Sequence, residues 1–177
     1  MRTPIPILVM LAYGCGGNPY GYAPEYAPLD DEEPYFEQGQ AHSYEEVRRN
    51  PSAYSSQTIA WFGVVNDVQA RGKGGEAQVS LTLHFHQQRH LCADQFDSSC
   101  RVTISQKKGG PFSAVLTLRP EDRAGRDRVY SGSLLKIYGN PTAEYDEEGG
   151  PILETAYYRH WPRGTYVTTG RAINMRR

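Results

Sequence analysis

The sequence predicts an all-β fold: a small antiparallel barrel or partly open sheet, carried behind a disordered N-terminal tether. Three observations predict it. Val79, Leu81, Leu83 and Phe85 alternate with Ser80, Thr82, His84 and His86, the two-residue period of a half-buried strand. From residue 59 onward, short apolar runs recur, each closed by Gly, Pro or acidic turn residues. Residues 16–41, by contrast, are dominated by Pro, Gly, Tyr and acid and show neither a helical nor a strand period.

Residues 1–14 read as a signal peptide. Arg2 precedes an apolar core of about ten residues, and the small residues Ala12 and Gly14 stand before Cys15. The run is too short to cross a bilayer, which takes about 20 apolar residues. A thiol directly after the cut is what a first acyl chain needs, so Cys15 is the expected lipidation site, carrying covalent acyl lipid such as palmitate. Gly16, rather than Asp, follows it. By resemblance to bacterial lipoproteins, that favours an anchor in the outer membrane. An ordinary secretory signal cut elsewhere and a frayed N-terminus are the alternatives.

Residues 15–41 are expected as the tether, with a reach of about 80 Å at about 3.1 Å per residue. Residues 42–177 are expected as one domain. Its first element is a short helix: Ser43-Tyr44-Glu45-Glu46 is a capping-box pattern, and Pro51 stops the helix. Ile59–Val65 is apolar on both faces, so it is central or curved, with Gly63 permitting a bend or bulge. Arg71–Gly75 turns the chain into the alternating strand, whose odd-numbered residues Val79–Phe85 are the expected core face. Residues 101–105 and 112–118 are further strands, the second set off by Gly109-Gly110-Pro111. Residues 119–131 form a charged loop or short helix. Residues 133–139 and 151–158 make a closing hairpin about Asp146–Gly150, and 165–168 is a last short strand. Two strands, an elaborated middle, a connection and a closing hairpin are compatible with an OB-like barrel; a sandwich is the alternative.

Net charge is −1 over 177 residues, but it is unevenly placed. Residues 1–50 carry three basic and eight acidic side chains; residues 51–177 carry sixteen and twelve. An excess this modest in the second part is as well explained by a solvated surface as by nucleic acid, and export argues against nucleic acid as a partner. Beyond Cys15 the chain has Cys92 and Cys100. In an oxidising compartment they are expected to form a disulfide, which for so short a loop contributes about 2.5 kcal/mol.

Three runs stand out in the domain: Asn50-Pro51-Ser52-Ala53-Tyr54, Trp61-Phe62-Gly63-Val64-Val65 and Gly110-Pro111-Phe112-Ser113-Ala114. By these the domain resembles, over about residues 48–163, the Slp family of outer-membrane lipoproteins, named for starvation-inducible members. Tyr130–Gly139 and Tyr158-Arg159-His160-Trp161-Pro162 complete the resemblance. The resemblance implies a lipid-anchored envelope domain of OB-like fold without catalytic residues. The Cys92/Cys100 loop, the histidines and a short tail after Trp161 depart from the family pattern.

His84, His86 and His90 are the candidate metal ligands, with Cys92 beside them. On a strand His84 and His86 share a face about 7 Å apart, a spacing that can chelate Zn²⁺, Cu²⁺ or Ni²⁺. The other reading is an ordinary polar face, with Cys92 used in the disulfide. No G-x-S-x-G, H-E-x-x-H or Walker pattern occurs. Trp61, Phe62, Tyr138, Tyr157, Tyr158 and Trp161 are first candidates for core, with an exposed subset available to a protein or glycan. The sequence thus predicts a non-enzymatic envelope lipoprotein without a bound cofactor, held to the membrane by its anchor and contacting envelope proteins. A periplasmic metal- or small-ligand-binding lipoprotein using His84 and His86 is the alternative.

Overall fold

The structure is a computed structural model that describes residues 26–72, 74–85, 89–90 and 101–174. In chain order its elements are helices α1 (Glu33–Gln38) and α2 (Tyr44–Arg49), a 3₁₀ turn (Pro51–Tyr54), and strands β1 (Ile59–Ala70) and β2 (Glu76–His84). Then come β3 (Arg89–His90), β4 (Val102–Ile104), β5 (Lys108–Thr117), α3 (Pro120–Arg123), β6 (Leu134–Tyr145), β7 (Pro151–Trp161), β8 (Tyr166–Thr168) and α4 (Thr169–Asn174). Among the described residues, no helix is long and apolar enough to cross a membrane.

Five strands close a barrel in the order β1-β2-β5-β7-β6. Counting only barrel strands along the chain, this is 1-2-3-5-4, with α3 in the connection between the third and fourth: an OB-like barrel. Four of its pairings are antiparallel; β5 and β7 run parallel through Ser113–Val115 and Ile152–Glu154. That parallel pair follows from the chain crossing through α3 and β6 before it returns beside β5. A second sheet, β3-β4-β8, is not hydrogen-bonded into the barrel but packs on its outside: Val102 and Ile104 of β4 share a buried apolar cluster with Phe62, Leu134 and Trp161.

The alternation read from the sequence builds the interior. Val79, Leu81 and Leu83 on β2 meet Phe112, Ala114 and Leu116 on β5, and Trp61, Val65, Leu135, Ile137 and Leu153 complete the core. Burying each such side chain contributes about 1.5–3 kcal/mol. Tyr44 and Val47 of α2 join the same core. Ser43 caps that helix, its Oγ accepting the Glu46 N–H at 3.3 Å. Gly63 is not where β1 bulges: the register shifts between Val65 and Asp67. Gly63 is required for space instead, since a Cβ there would stand 2.8 Å from Leu81 and from the Phe112 ring.

The expected core face of β2 breaks at its end. A register shift between Thr82 and His84 interrupts the two-residue period. His84, expected on the polar face, is therefore buried, and Phe85, expected in the core, is 37% exposed.

The expected tether differs more. From Tyr26 onward the segment is packed on the barrel: Glu32 is fully buried, residues 33–38 are helical, and Gln40 bridges to Ile59. Buried partners for its acids and aromatics hold a segment whose composition alone reads as unfolded. The remainder of the expected tether, 15–25, lies outside the described residues, as do the signal segment 1–14, Cys15, His86, Cys92 and Cys100.

Candidate functional site

Strand alternation gives β1, β6 and β7 an outer face as well as an inner one. Phe62 and Val64 of β1, Leu134, Lys136 and Tyr138 of β6, and Tyr157, Arg159 and Trp161 of β7 alternate with core residues of the same strands. The register sets Lys136 directly opposite both Phe62 and Arg159. Two cations opposite one another in an antiparallel pair repel. Both are buried, Lys136 at 1% exposure and Arg159 at 6%.

The counter-ion comes from residues 26–38, a strap lying over this face. Glu32 Oε1 accepts from Lys136 Nζ at 3.2 Å, from the Tyr138 hydroxyl at 2.7 Å and from the Tyr26 hydroxyl. Its Oε2 accepts from an Arg159 Nη1–H at 3.1 Å and from the Leu29 N–H at 3.2 Å. Rings enclose the cations. Lys136 Nζ lies 3.8 Å from the Tyr26 ring centre, 4.6 Å from Phe36 and 4.7 Å from Tyr138; the Arg159 guanidinium lies 4.7 Å from Trp161. Beside them Tyr35 stacks on Tyr157 at 5.0 Å, and the Tyr157 hydroxyl donates to Asp31.

Burial alone would raise the Glu32 pKa, but Lys136, the two phenols and Arg159 outweigh it and hold the carboxyl below its usual range. Burial pushes Lys136 down to about 8 despite the adjacent carboxylate. Burial and the bonded carboxylate push the Tyr26 and Tyr138 phenols well above theirs.

A second polar cluster lies under α3. His160 Nδ1–H donates to Asp122 Oδ1 at 2.6 Å, and its Nε2 meets Ser133 Oγ at 3.1 Å. The Tyr158 hydroxyl donates to Asp122 Oδ2 at 2.6 Å and accepts the Arg119 N–H. The His160 and Tyr158 bonds overcome the effect of burial and hold Asp122 below the usual carboxylate range. These are the residue types of an acyl-transfer triad. Ser133, however, is fully buried, and its Oγ also accepts the Tyr130 N–H. The cluster ties α3 to β7 and to the turn before β6.

Of the expected metal ligands, His84 is 6% exposed and its Nδ1 lies 3.0 Å from the Ser105 carbonyl. With His42, Tyr44, Trp61 and Phe85 it lines a cleft of about 300 Å³. His90 is placed by its backbone in β3, and His86 is outside the described residues. Among the described residues, no group of three or more His, Cys, Asp or Glu gathers as a metal site. Trp61, Phe62, Tyr138, Tyr158 and Trp161 are buried, and Tyr157 is half-buried.

Sequence reading missed Glu32, Lys136 and Arg159. Two signals were available: a lysine inside the apolar run Leu134-Leu135-Lys136-Ile137-Tyr138, and the acid excess of residues 1–50 against the basic excess after them. OB folds take oligonucleotides across barrel strands two and three. Here the middle of that outer face carries Gln78, Ser80, Thr82 and Val115, neither aromatic nor basic.

Fold and site together define an OB-like barrel with an acidic strap bound over a basic, aromatic face. No family model matches the chain, and no curated protein matches it. Among solved structures, the protein PriB from Ralstonia solanacearum is similar over 59% of this chain and 97% of its own, at 10% identity and a TM-score of 0.31. The barrel assignment rests on strand order and closure.

Proposed function

We propose that the chain is a non-enzymatic, lipid-anchored lipoprotein of the outer membrane, Slp-like, whose barrel has a structural or protein-interaction role. Cys15, at the end of a short apolar run, carries the acyl chains, and more than one chain makes such an anchor stable. The observation that carries the reading is the docked strap. Tyr26 already packs on the barrel, so at most ten residues, 16–25, separate barrel from anchor. At about 3.3–3.6 Å per residue that is a reach of at most about 36 Å. A barrel held this close to a bilayer suits a role at the envelope surface. Its partners are the membrane and envelope proteins, not nucleic acid: acid already covers the basic face, which supports an interaction with protein. The sealed Ser133 supports binding over catalysis.

Membrane fractionation of the full chain against Cys15→Ser tests the anchor. The wild type is expected in the membrane fraction and the variant in the soluble one; equal membrane fractions contradict it. A pull-down with the anchored chain should then recover an envelope partner that the variant loses. A second reading, a small-ligand or metal-binding lipoprotein, draws on the cleft lined by His84. Calorimetric titration with Zn²⁺ and Cu²⁺ tests it; heat no larger than for a His84→Ala/His86→Ala control ends it.

A further inference from the structure

The barrel face under the strap has the composition of a binding groove. Its cations face each other across β6 and β7, a pairing that barrel folding by itself disfavours and an external carboxylate relieves. Phe62, Tyr138 and Trp161 flank them. The strap meets this face as a linear peptide does: one buried carboxylate at Glu32, aromatic rings at Tyr26 and Phe36, and further acids at Asp30, Asp31 and Glu33. Its hold is concentrated at Glu32, and the helix that follows is lightly held. Helix α1 buries none of its residues, has no side-chain cap, and leaves Phe36 41% exposed. A six-residue helix has little stability of its own, and a buried ion pair adds less than its geometry suggests.

We propose that the outer face of β1, β6 and β7 is a docking groove for an acidic, aromatic-bearing peptide segment of a partner protein, and that residues 26–38 occupy it in cis as a competing ligand. Lys136 and Arg159 take the partner's carboxylate; Phe62, Tyr138 and Trp161 take the rings beside it. The proposal rests on the interaction half of the proposed function and not on the anchor. Membrane fractionation and peptide binding therefore fail separately.

The probe is a fluorescent peptide of residues 26–38, read by anisotropy against the full chain carrying Cys15→Ser. Glu32→Gln in that chain weakens the cis ligand, and the probe is expected to bind it at least tenfold tighter than it binds the chain with the wild-type strap. Adding Lys136→Met should abolish the gain, and a probe with Glu32→Ala should bind at least tenfold more weakly. No saturable binding to the Glu32→Gln chain overturns the proposal, as does equal binding of the two probes. A Glu32→Gln chain that dimerises by light scattering without taking the probe also overturns it, because the occupant is then a second copy's strap. Should Glu32→Gln fail to fold, the wild-type strap supplies the readout. Excess probe is expected to speed hydrogen exchange in residues 29–38 at least threefold, and unchanged exchange at saturating probe overturns the groove.

Discussion

The two faces of β6 are built from the same alternation but held by different forces. Leu135 and Ile137 point into the barrel, where Leu81, Phe112 and Leu153 close around them. Lys136 and Tyr138 point outward and are equally buried, under a strap whose Glu32 bonds both and whose rings pack on them. The inner face is non-directional and sums over many contacts. The outer face depends on one carboxylate satisfying two cations and two phenols. The first degrades gradually under substitution; the second turns on a single residue, which suits a surface that opens.

Phe112→Ala should have the largest effect, about 3–5 kcal/mol lost from the whole barrel in chemical denaturation. Its ring is fully buried and touches Trp61 at 5.4 Å between ring centres. A loss confined to one strand would break the picture of a single interior.

Glu32→Ala comes next. Leaving two cations buried without a partner costs about 3–5 kcal/mol, but the strap can open and hydrate them. The measured barrel stability should therefore fall by only about 1–3 kcal/mol. Lys136→Met, which removes one charge and leaves Glu32 paired with Arg159, should cost less than Glu32→Ala in the same assay. The reverse order would mean that Lys136, not Glu32, organises the face.

Alkaline pH sharpens the contrast, because Lys136, Tyr26 and Tyr138 at the outer face titrate there and the aliphatic interior does not. Lys136 has a folded pKa of about 8 against 10.5 for a free lysine. The folded chain thus binds fewer protons between those values, and stability rises over that window by at most about 1.4 kcal/mol per pH unit. Above pH 10.0, Tyr26, Tyr138 and Tyr158 keep protons that the unfolded chain loses, so stability falls. Thermal melts should show a maximum near pH 10, shifted or lost in Lys136→Met. At the acid end Glu32 and Asp122 both have lowered pKa values. Their contribution is present above 4.5 and 3.8 and is lost as pH falls through the folded values.

Ser133→Ala should have the smallest effect, about 1 kcal/mol in denaturant melts, since it removes one partner of His160 and of the Tyr130 N–H. A loss as large as that of Phe112→Ala would make the Asp122 cluster a structural keystone.

The same contrast explains what could be read in advance. The interior was legible because Val79, Leu81 and Leu83 announce it within five residues, and Ser43 marks the start of α2 within four. His84 and Phe85 were misread because a register shift at the end of β2 leaves no trace in local composition. The strap was misread as tether because Pro, Gly and acid favour disorder unless a distant surface supplies partners. Those partners, Lys136 and Arg159, sit in strands whose own apolar pattern already explained them. The parallel β5–β7 pair was likewise invisible, since it depends on how the chain closes and not on either strand.

Glu32 holds the strap over the basic face of the barrel. Hydrogen exchange of the wild-type chain against Glu32→Gln tests it most directly. Amides of residues 32–39 are expected to lose protection at least tenfold in the variant, while those of β2 and β5 keep theirs. Unchanged protection of the strap, or equal loss throughout the barrel, would contradict the claim.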